Sequence, residues 1–378
     1  MKLPPLSLYI HVPWCVQKCP YCDFNSHSLK GKIPEQEYVQ HLLDDLKADL
    51  HLVQGRKLHS IFIGGGTPSL LSANAYTHLL SQVRTLIPFE DEIEITLEAN
   101  PGTVETDRFA HYVEAGINRI SIGVQSLQAD KLNALGRIHG EQEAINAAHE
   151  ARKAGLRSFN MDLMHGLPNQ TLSDALSDLQ RVIELDPPHI SWYQLTIEPN
   201  TQFASKPPIL PQDEILWDIQ EQGQELLAKA GYLQYEISGY AKSGYQCKHN
   251  LNYWQFGDYL GIGCGAHGKI TQPHKQQILR TVKVKHPRGY MDLSKPYLYQ
   301  SWQVEEQDRP FEFFMNCFRL QQPCSKQDFI DFTGLPLECV AGNIADAEAN
   351  GLLLNQAHSW LVTNKGHRYL NDLLQSFV

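Results

Sequence analysis

The sequence predicts an α/β protein in three parts. They are a partial (β/α)6 barrel of the TIM type over residues 1–240, a connecting region over 241–309, and a small winged-helix-like α+β domain over 310–378. Three observations carry this reading. Six short runs rich in β-branched and aromatic residues alternate with segments of helical spacing, which is the pattern of a parallel sheet with crossover helices. Nearly every run ends in glycine or an unusual polar residue. Past residue 240 the alternation stops.

The runs are Leu8–Val12, Ser60–Gly64, Glu94–Glu98, Arg119–Val124, Phe159–Met164 and Ile190–Ile197. Between them Tyr38, Leu42, Leu46, Leu50 and Val53 share one helical face, as do Leu79, Val83 and Leu86. A full eight-fold barrel takes about 250 residues, so six units over residues 8–240 fit an incomplete one. The rival is an open doubly wound sheet. The polar run ends are Gly64–Thr67, Glu98–Asn100, Gln125–Ser126, Asp162 and Thr196–Glu198. A barrel gathers its strand C-termini on one rim and converges such residues on one site, whereas an open sheet strings them along a line. The barrel is the better fit.

Residues 244–268 are dense in glycine and aromatics, the composition of tightly packed irregular backbone. Residues 269–295 hold seven Lys or Arg against one acid, Asp292. Glu305, Glu306, Asp308 and Pro310 mark a boundary. Helices are then expected at Phe311–Leu320, Ser325–Thr333 and Leu337–Asn350, a hairpin at Leu352–Val362 and a last helix at Lys365–Leu374. Residues 311–378 carry four Lys/Arg against seven Asp/Glu, so this module is expected to be structural or to contact protein rather than DNA.

A formal charge of −10 argues against a general affinity for nucleic acid or anionic lipid. The first residues, MKLPPLSLYIHVPW, lack the long apolar stretch and cleavage site of a secretory signal. No segment offers the ~20 apolar residues of a membrane span. A cytoplasmic location with reduced thiols follows as the expectation, so the eight cysteines read as ligands and core residues rather than disulfides.

Three of them cluster. Cys15, Cys19 and Cys22 form C-x3-C-x2-C directly after the first strand. Thiolates suit both iron–sulfur clusters and zinc. A structural zinc site would take His27 as fourth ligand, but such sites usually draw on two separated pairs. A [4Fe–4S] cluster normally takes four thiolates; with three, one iron stays open for the amino-carboxylate of S-adenosylmethionine. Tyr21 is placed to pack on the adenine. One unit later, Gly64–Gly65–Gly66–Thr67–Pro68 forms a turn whose backbone a ligand can approach closely.

With these two motifs in sequence, the chain resembles the radical S-adenosylmethionine superfamily, and the expected barrel is of that kind. More finely it resembles the anaerobic coproporphyrinogen oxidase family and, within it, the HemW-type haem chaperones. The carrying segments are YIHVPWCVQKCPYCDFNSH, IFIGGGTPSLL, LEANPGT, NRISIGVQSL, LGRIH, NMDLMHGLP and LTIEPNT. The resemblance implies that Tyr9, Gly65 and Glu98 face S-adenosylmethionine. It also implies that Tyr21, Gly66, Thr67, Gln125, Arg137 and Asp162 correspond to positions holding a second molecule in the oxidase. Two departures separate the chain from the oxidase: Phe24 stands where the oxidase has a further cysteine, and Cys15 comes without a sizeable arm before it.

In their place stands His249–Asn250–Leu251–Asn252–Tyr253–Trp254, the HNxxYW pattern of the haem chaperones. It implies that His249 ligates haem iron, with Tyr253 and Trp254 against the porphyrin. Cys247 or His267 is the candidate second ligand. Lys283, Lys285 and Arg288 are candidates to hold the propionates or steer an acidic acceptor, the alternative being an exposed strand. The implied function is haem binding and delivery to apoproteins, membrane-associated ones among them, with no catalytic residue assigned. The alternatives are an oxygen-independent coproporphyrinogen III oxidase and, disfavoured by charge, an RNA-modifying radical enzyme.

Overall fold

The computed structural model describes residues 1–102 and 108–378; Thr103, the last residue of LEANPGT, lies outside them. One twelve-stranded sheet organises the chain. Strands β1 (Leu6–Val12), β2 (Leu58–Gly65), β3 (Phe89–Ala99), β4 (Arg119–Gln125), β5 (Ser158–His165) and β6 (His189–Gln194) lie side by side in chain order. Each is parallel to the next. A doubly wound sheet reverses its order at an interior strand. Sequential order with right-handed crossovers puts every helix on one face and every strand C-terminus on one rim. The partial barrel is therefore the architecture, with both sheet ends open.

Apolar periodicity chose the elements. Helix α1 (Glu35–Asp49) buries Tyr38, Leu42 and Leu46 against the sheet. Helix α2 (Ala73–Leu86) starts where Ser72 accepts the Ala75 amide, and it buries Leu79 and Val83. The sixth strand stops at Gln194, so Thr196–Glu198 lie beyond its end.

The sheet also continues outward from β1. Strand β7 (Asp258–Ile262) joins it in parallel, and β8 (His267–Gln272), β9 (Gln277–Lys283) and β10 (Leu298–Gln303) follow antiparallel. A Cβ on Gly261 would lie 1.9 Å from the His267 carbonyl oxygen, so only glycine permits this pairing. The basic character of this region is partly internal. Lys283 is 1% exposed and pairs with Asp45 at 2.5 Å and Asp49 at 2.7 Å on α1. Lys269 is equally buried, pairing with Asp258 at 3.0 Å. Lys283 is thus neither a propionate ligand nor part of an exposed strand: its charge is consumed by two carboxylates.

Residues 309–378 pack around Phe313, Phe314, Phe329 and Trp360 in a second core that also takes in Phe256, Ile278 and Val304. Helices Arg309–Cys317, Lys326–Thr333 and Ala341–Ala349 pack with a three-stranded sheet of Cys324–Ser325, Ser359–Val362 and Leu353–Asn355. The expected helix at Leu337–Asn350 opens with a 3-10 turn, and the last one is interrupted at Tyr369. Among the described residues no helix is long and apolar enough to cross a membrane.

Candidate cluster and ligand site

The three clustered cysteines sit on a loop held from three sides. After β1, His27 N–H donates to the Pro13 carbonyl at 2.7 Å and Leu29 N–H to that of Cys15 at 2.9 Å. Inside the loop, Lys18 Nζ donates to the carbonyls of Phe24 and Ser26. Outward, His11 Nε2 bonds the Asn25 carbonyl at 2.9 Å, while Asn25 Nδ2 donates to the carbonyls of Cys264 and Lys285 at 2.9 and 2.8 Å. Cys15 is buried and Cys19 and Cys22 are half-buried, all as free thiols lining one cavity. Burial pushes the Cys15 thiol up, and the Arg137 guanidinium donates to Cys19 Sγ at 3.6 Å.

The donor set fits an iron–sulfur cube better than zinc. Zinc needs its four ligands within bonding distance of one ion. Among the described residues no three His, Cys, Asp or Glu side chains gather around one ion. His27 is committed elsewhere, bonded to Asn25 Oδ1 and packed on the His286 ring. A cube spreads its cysteines over separate irons, which thiols lining a common wall can serve.

The glycine turn passes directly beneath this loop. Gly66 N–H donates to the Val12 carbonyl and Thr67 N–H to that of Trp14, both at 2.7 Å. A Cβ at Gly66 would meet the Trp14 carbonyl oxygen at 2.5 Å, and one at Gly65, where φ is +120°, would meet the His11 ring at 2.6 Å. Close chain crossing, as well as ligand approach, demands glycine here. Gly65 N–H then donates to Glu98 Oε2 at 3.1 Å.

Eight of the nine residues expected around S-adenosylmethionine line this cavity of about 700 Å³: Tyr21, Gly65, Gly66, Thr67, Glu98, Gln125, Arg137 and Asp162. Tyr9 does not. Its ring is stacked on Phe62, its hydroxyl bonds His11 Nδ1, and it borders a neighbouring cavity. Arg137 spans the floor, donating through Nη2 to Asn100 Oδ1 at 2.8 Å and the Gly123 carbonyl at 2.6 Å; its buried Nε has no partner among the described residues. Gln125 adopts φ +70°, uncommon for a residue with a side chain, and accepts from the Tyr193 hydroxyl at 2.8 Å. Asp162 accepts from Ser121 and Asn160 at 3.0 and 2.8 Å. The sequence reading assigned no ligand role to Tyr193 or Asn100, although Asn100 stood in one of the polar strand ends expected to converge here.

Burial, with the Asp162 carboxylate nearby, lifts the Glu98 carboxyl from 4.5 to about 8. The folded chain then holds a proton that the unfolded chain releases across that window. Glu98 therefore contributes a loss of stability as pH rises from 4.5 to about 8, set against the opposite contribution of buried histidines such as His11 and His249, whose pKa burial lowers. In Glu98→Gln that contribution is removed, so the variant's stability relative to wild type is expected to rise with pH across the window, as thermal unfolding at both ends will show; a pH-independent difference would mean that another group titrates.

The neighbouring cavity, about 920 Å³, shares Cys22, Phe24, Gly65 and Glu98 with the first. Tyr253 and Trp254 line it, on the short helix Lys248–Trp254. His249 does not. It is 1% exposed, with Nδ1 bonded to Ser60 Oγ and Nε2 to Tyr253 Oη, both at 2.9 Å. With both nitrogens engaged it offers no free lone pair, and burial drives its pKa to about 3. Cys247 is fully buried and donates to Glu94. His267, Arg280 and Lys285 do border the cavity. Tyr259 also lines it, accepting from Arg280 at 2.9 Å.

Two family models match the chain: the Radical SAM superfamily over residues 9–182 and the HemN C-terminal domain over residues 304–369. Proteins named heme chaperone HemW are similar along the whole chain. Those of Haemophilus influenzae and Escherichia coli are 62% and 61% identical, covering 100% of this chain and 99% of each relative. That of Bacillus subtilis is 33% identical over 98% of the chain and 99% of the relative. Among solved structures, coproporphyrinogen III oxidase from Escherichia coli superposes with a TM-score of 0.84 at 22% identity, covering 99% of this chain and 90% of that one. That likeness speaks to the fold.

Proposed function

We propose, for a chain that belongs to the radical SAM superfamily and within it to the HemW family of haem chaperones, that it binds haem and delivers it to apoproteins. Full-length identity to proteins carrying that name is the observation that carries the reading. The aromatic-lined cavity beside the cysteine loop supports it as a place for a flat, largely apolar ligand.

In this reading Cys15, Cys19 and Cys22 hold a [4Fe–4S] cluster, and the glycine turn, Glu98, Gln125, Arg137 and Asp162 hold S-adenosylmethionine. When bound, the pair supplies reductive cleavage of a carbon–sulfur bond. The chain's own contribution is to bind and orient. The Gly65 amide and the Glu98 carboxyl line the cavity together, and Arg137 is held in the same lining by its bond to the Gly123 carbonyl. Tyr253 and Trp254 form a wall of the haem site, and His249 positions Tyr253 from behind. Acceptors are apoproteins met in the cytoplasm or at a membrane surface. The net charge of −10 supports no nucleic-acid partner.

The test pairs two assays on anaerobically reconstituted protein. Hemin titration is expected to give a shifted Soret band and transfer to an added apoprotein. Coproporphyrinogen with S-adenosylmethionine and a reductant is expected to yield no protoporphyrinogen. Turnover without a Soret shift would replace the carrier with the oxidase.

A further inference from the structure

Resting on the cluster reading, we propose that Asn100 is a positioning residue for the cluster. It turns the Arg137 guanidinium onto Cys19 Sγ, and the charged hydrogen bond so made sets the reduction potential at which the cluster takes its electron. Arg137 Nη1 donates to Cys19 Sγ at 3.6 Å, while Nη2 donates to Asn100 Oδ1 at 2.8 Å and to the Gly123 carbonyl at 2.6 Å. Asn100, the residue after β3, is itself anchored, its Nδ2 donating to Thr67 Oγ1 at 3.3 Å. One line of side chains therefore runs from the glycine turn to a cluster cysteine.

The backbone is shaped to bring the guanidinium there. The short helix Ala129–Ala134 gives way to Gly136, where φ is +67°. A Cβ at Gly136 would meet Pro20 Cδ at 2.9 Å, so this turn lies directly on the cysteine loop. Gln17 Nε2, from the same loop, donates to the Gly136 carbonyl at 3.4 Å. On the other side, β4 shifts register against β5 between Gly123 and Gln125. Such a bulge re-aims groups beside a site, and a Cβ at Gly123 would crowd Arg137 Nη2 at 3.2 Å.

The clustered sulfurs are not treated alike. Among the described residues Cys22 Sγ meets a neutral hydroxyl, that of Ser26 at 3.6 Å, whereas Cys19 faces a full positive charge. Hydrogen bonds to the sulfurs are one of the levers on a cluster's potential, and charge-assisted ones are roughly twice as strong as neutral ones. Reduction adds one electron, from an external reductant, to a group whose thiolates already carry negative charge. A cation on one of them favours the reduced form and raises the potential. The planar fork matters because it serves Gly123, Asn100 and Cys19 together, which a point-charge ammonium cannot do. The Arg137 Nε, without a partner among the described residues, is the donor left for S-adenosylmethionine.

The experiment is an EPR-monitored titration of the anaerobically reconstituted full chain with dithionite. S-adenosylmethionine is left out, so that lost ligand contacts cannot move the potential. Arg137→Gln is expected to keep iron and sulfide but to lower the reduced-to-oxidised ratio at the wild-type midpoint about tenfold, a downward shift of about 59 mV for a one-electron couple. Asn100→Ala should shift the potential the same way by less, and should add nothing in the Arg137→Gln background. Arg137→Lys keeps the charge without the fork and should recover part of the shift; a loss equal to that of Arg137→Gln would overturn charge as the cause. A merely structural role would lower the unfolding midpoint or the cluster content and leave the potential in place. A wild-type potential in cluster-loaded Arg137→Gln overturns the tuning, and a further shift from Asn100→Ala on Arg137→Gln overturns the positioning. Should Arg137→Gln fail to fold or load, Asn100→Ala decides, since among the described residues its side chain bonds no cysteine: a wild-type potential there overturns the proposal. A wild-type chain that takes up no iron and sulfide would instead sink the cluster reading itself.

Discussion

Replacing Lys283 with alanine will destabilise the chain by about 3–5 kcal/mol, the usual cost of stripping one partner from a buried charge pair. Lys283 bridges Asp45 and Asp49 from inside the fold, and Tyr290 and the Gly263 amide complete the solvation of Asp45. Without the ammonium, two buried carboxylates face each other and burial already pushes Asp45 upward. A proton becomes the only replacement for the lost charge. The variant's folded-state carboxyl pKa therefore sits above its unfolded value, and the variant loses further stability as pH rises through it. Chemical denaturation at acidic and alkaline pH measures both effects. A loss below about 1 kcal/mol, the scale of an exposed pair, would refute the buried triad. Hemin affinity of the folded variant should stay at wild type, because the side chain reaches neither cavity.

That lysine also shows what the sequence withholds. Val282 and Val284 flank it, and the alternation reads equally as a strand or as a basic patch. What decides its role is a pair of aspartates more than two hundred positions earlier, on a helix whose packing against β7 is set by the whole sheet. His249 is the same case. Its motif is conspicuous, but Ser60, which occupies Nδ1, sits 189 positions away. Conversely the strand ends were legible because polar residues at the close of an apolar run are costly unless a rim collects them. Gly65, Glu98, Gln125 and Asp162 converge for that reason. Tyr9 shares its period-two face with His11, and that periodicity cannot say which of two adjoining cavities the face meets. Continuation of the sheet through β7–β10 was hidden for a different cause: residues 244–268 are so rich in glycine that they read as loop, yet Gly261 is what lets β7 lie against the turn into β8.

Replacing Cys22 with alanine will leave the fold standing and remove the cluster. Cys22 is half-buried at the loop tip, its Sγ engaging only Ser26 Oγ, at 3.6 Å, among the described residues, so the core does not depend on it. The loop's ties, from the Asn25 side chain to the carbonyls of Cys264 and Lys285 and from the His27 amide to the Pro13 carbonyl, use none of the three clustered sulfurs. Two thiolates cannot retain a cube that is already one short of its usual four. Iron and sulfide in anaerobically reconstituted protein are therefore expected to fall to background, with S-adenosylmethionine affinity falling alongside. The unfolding midpoint of the metal-free chain should stay near wild type. Cys247→Ala and Cys264→Ala provide the contrast, since those thiols donate internally to Glu94 and to the Lys285 carbonyl. Both should keep full iron and sulfide despite a structural penalty. If Cys22→Ala kept its iron, or wild type prepared this way held zinc in a three-cysteine site, the assignment of the loop would be wrong. Because this same loop walls the second cavity through Phe24 and Asn25, the proposed haem site would then lose the element that frames it.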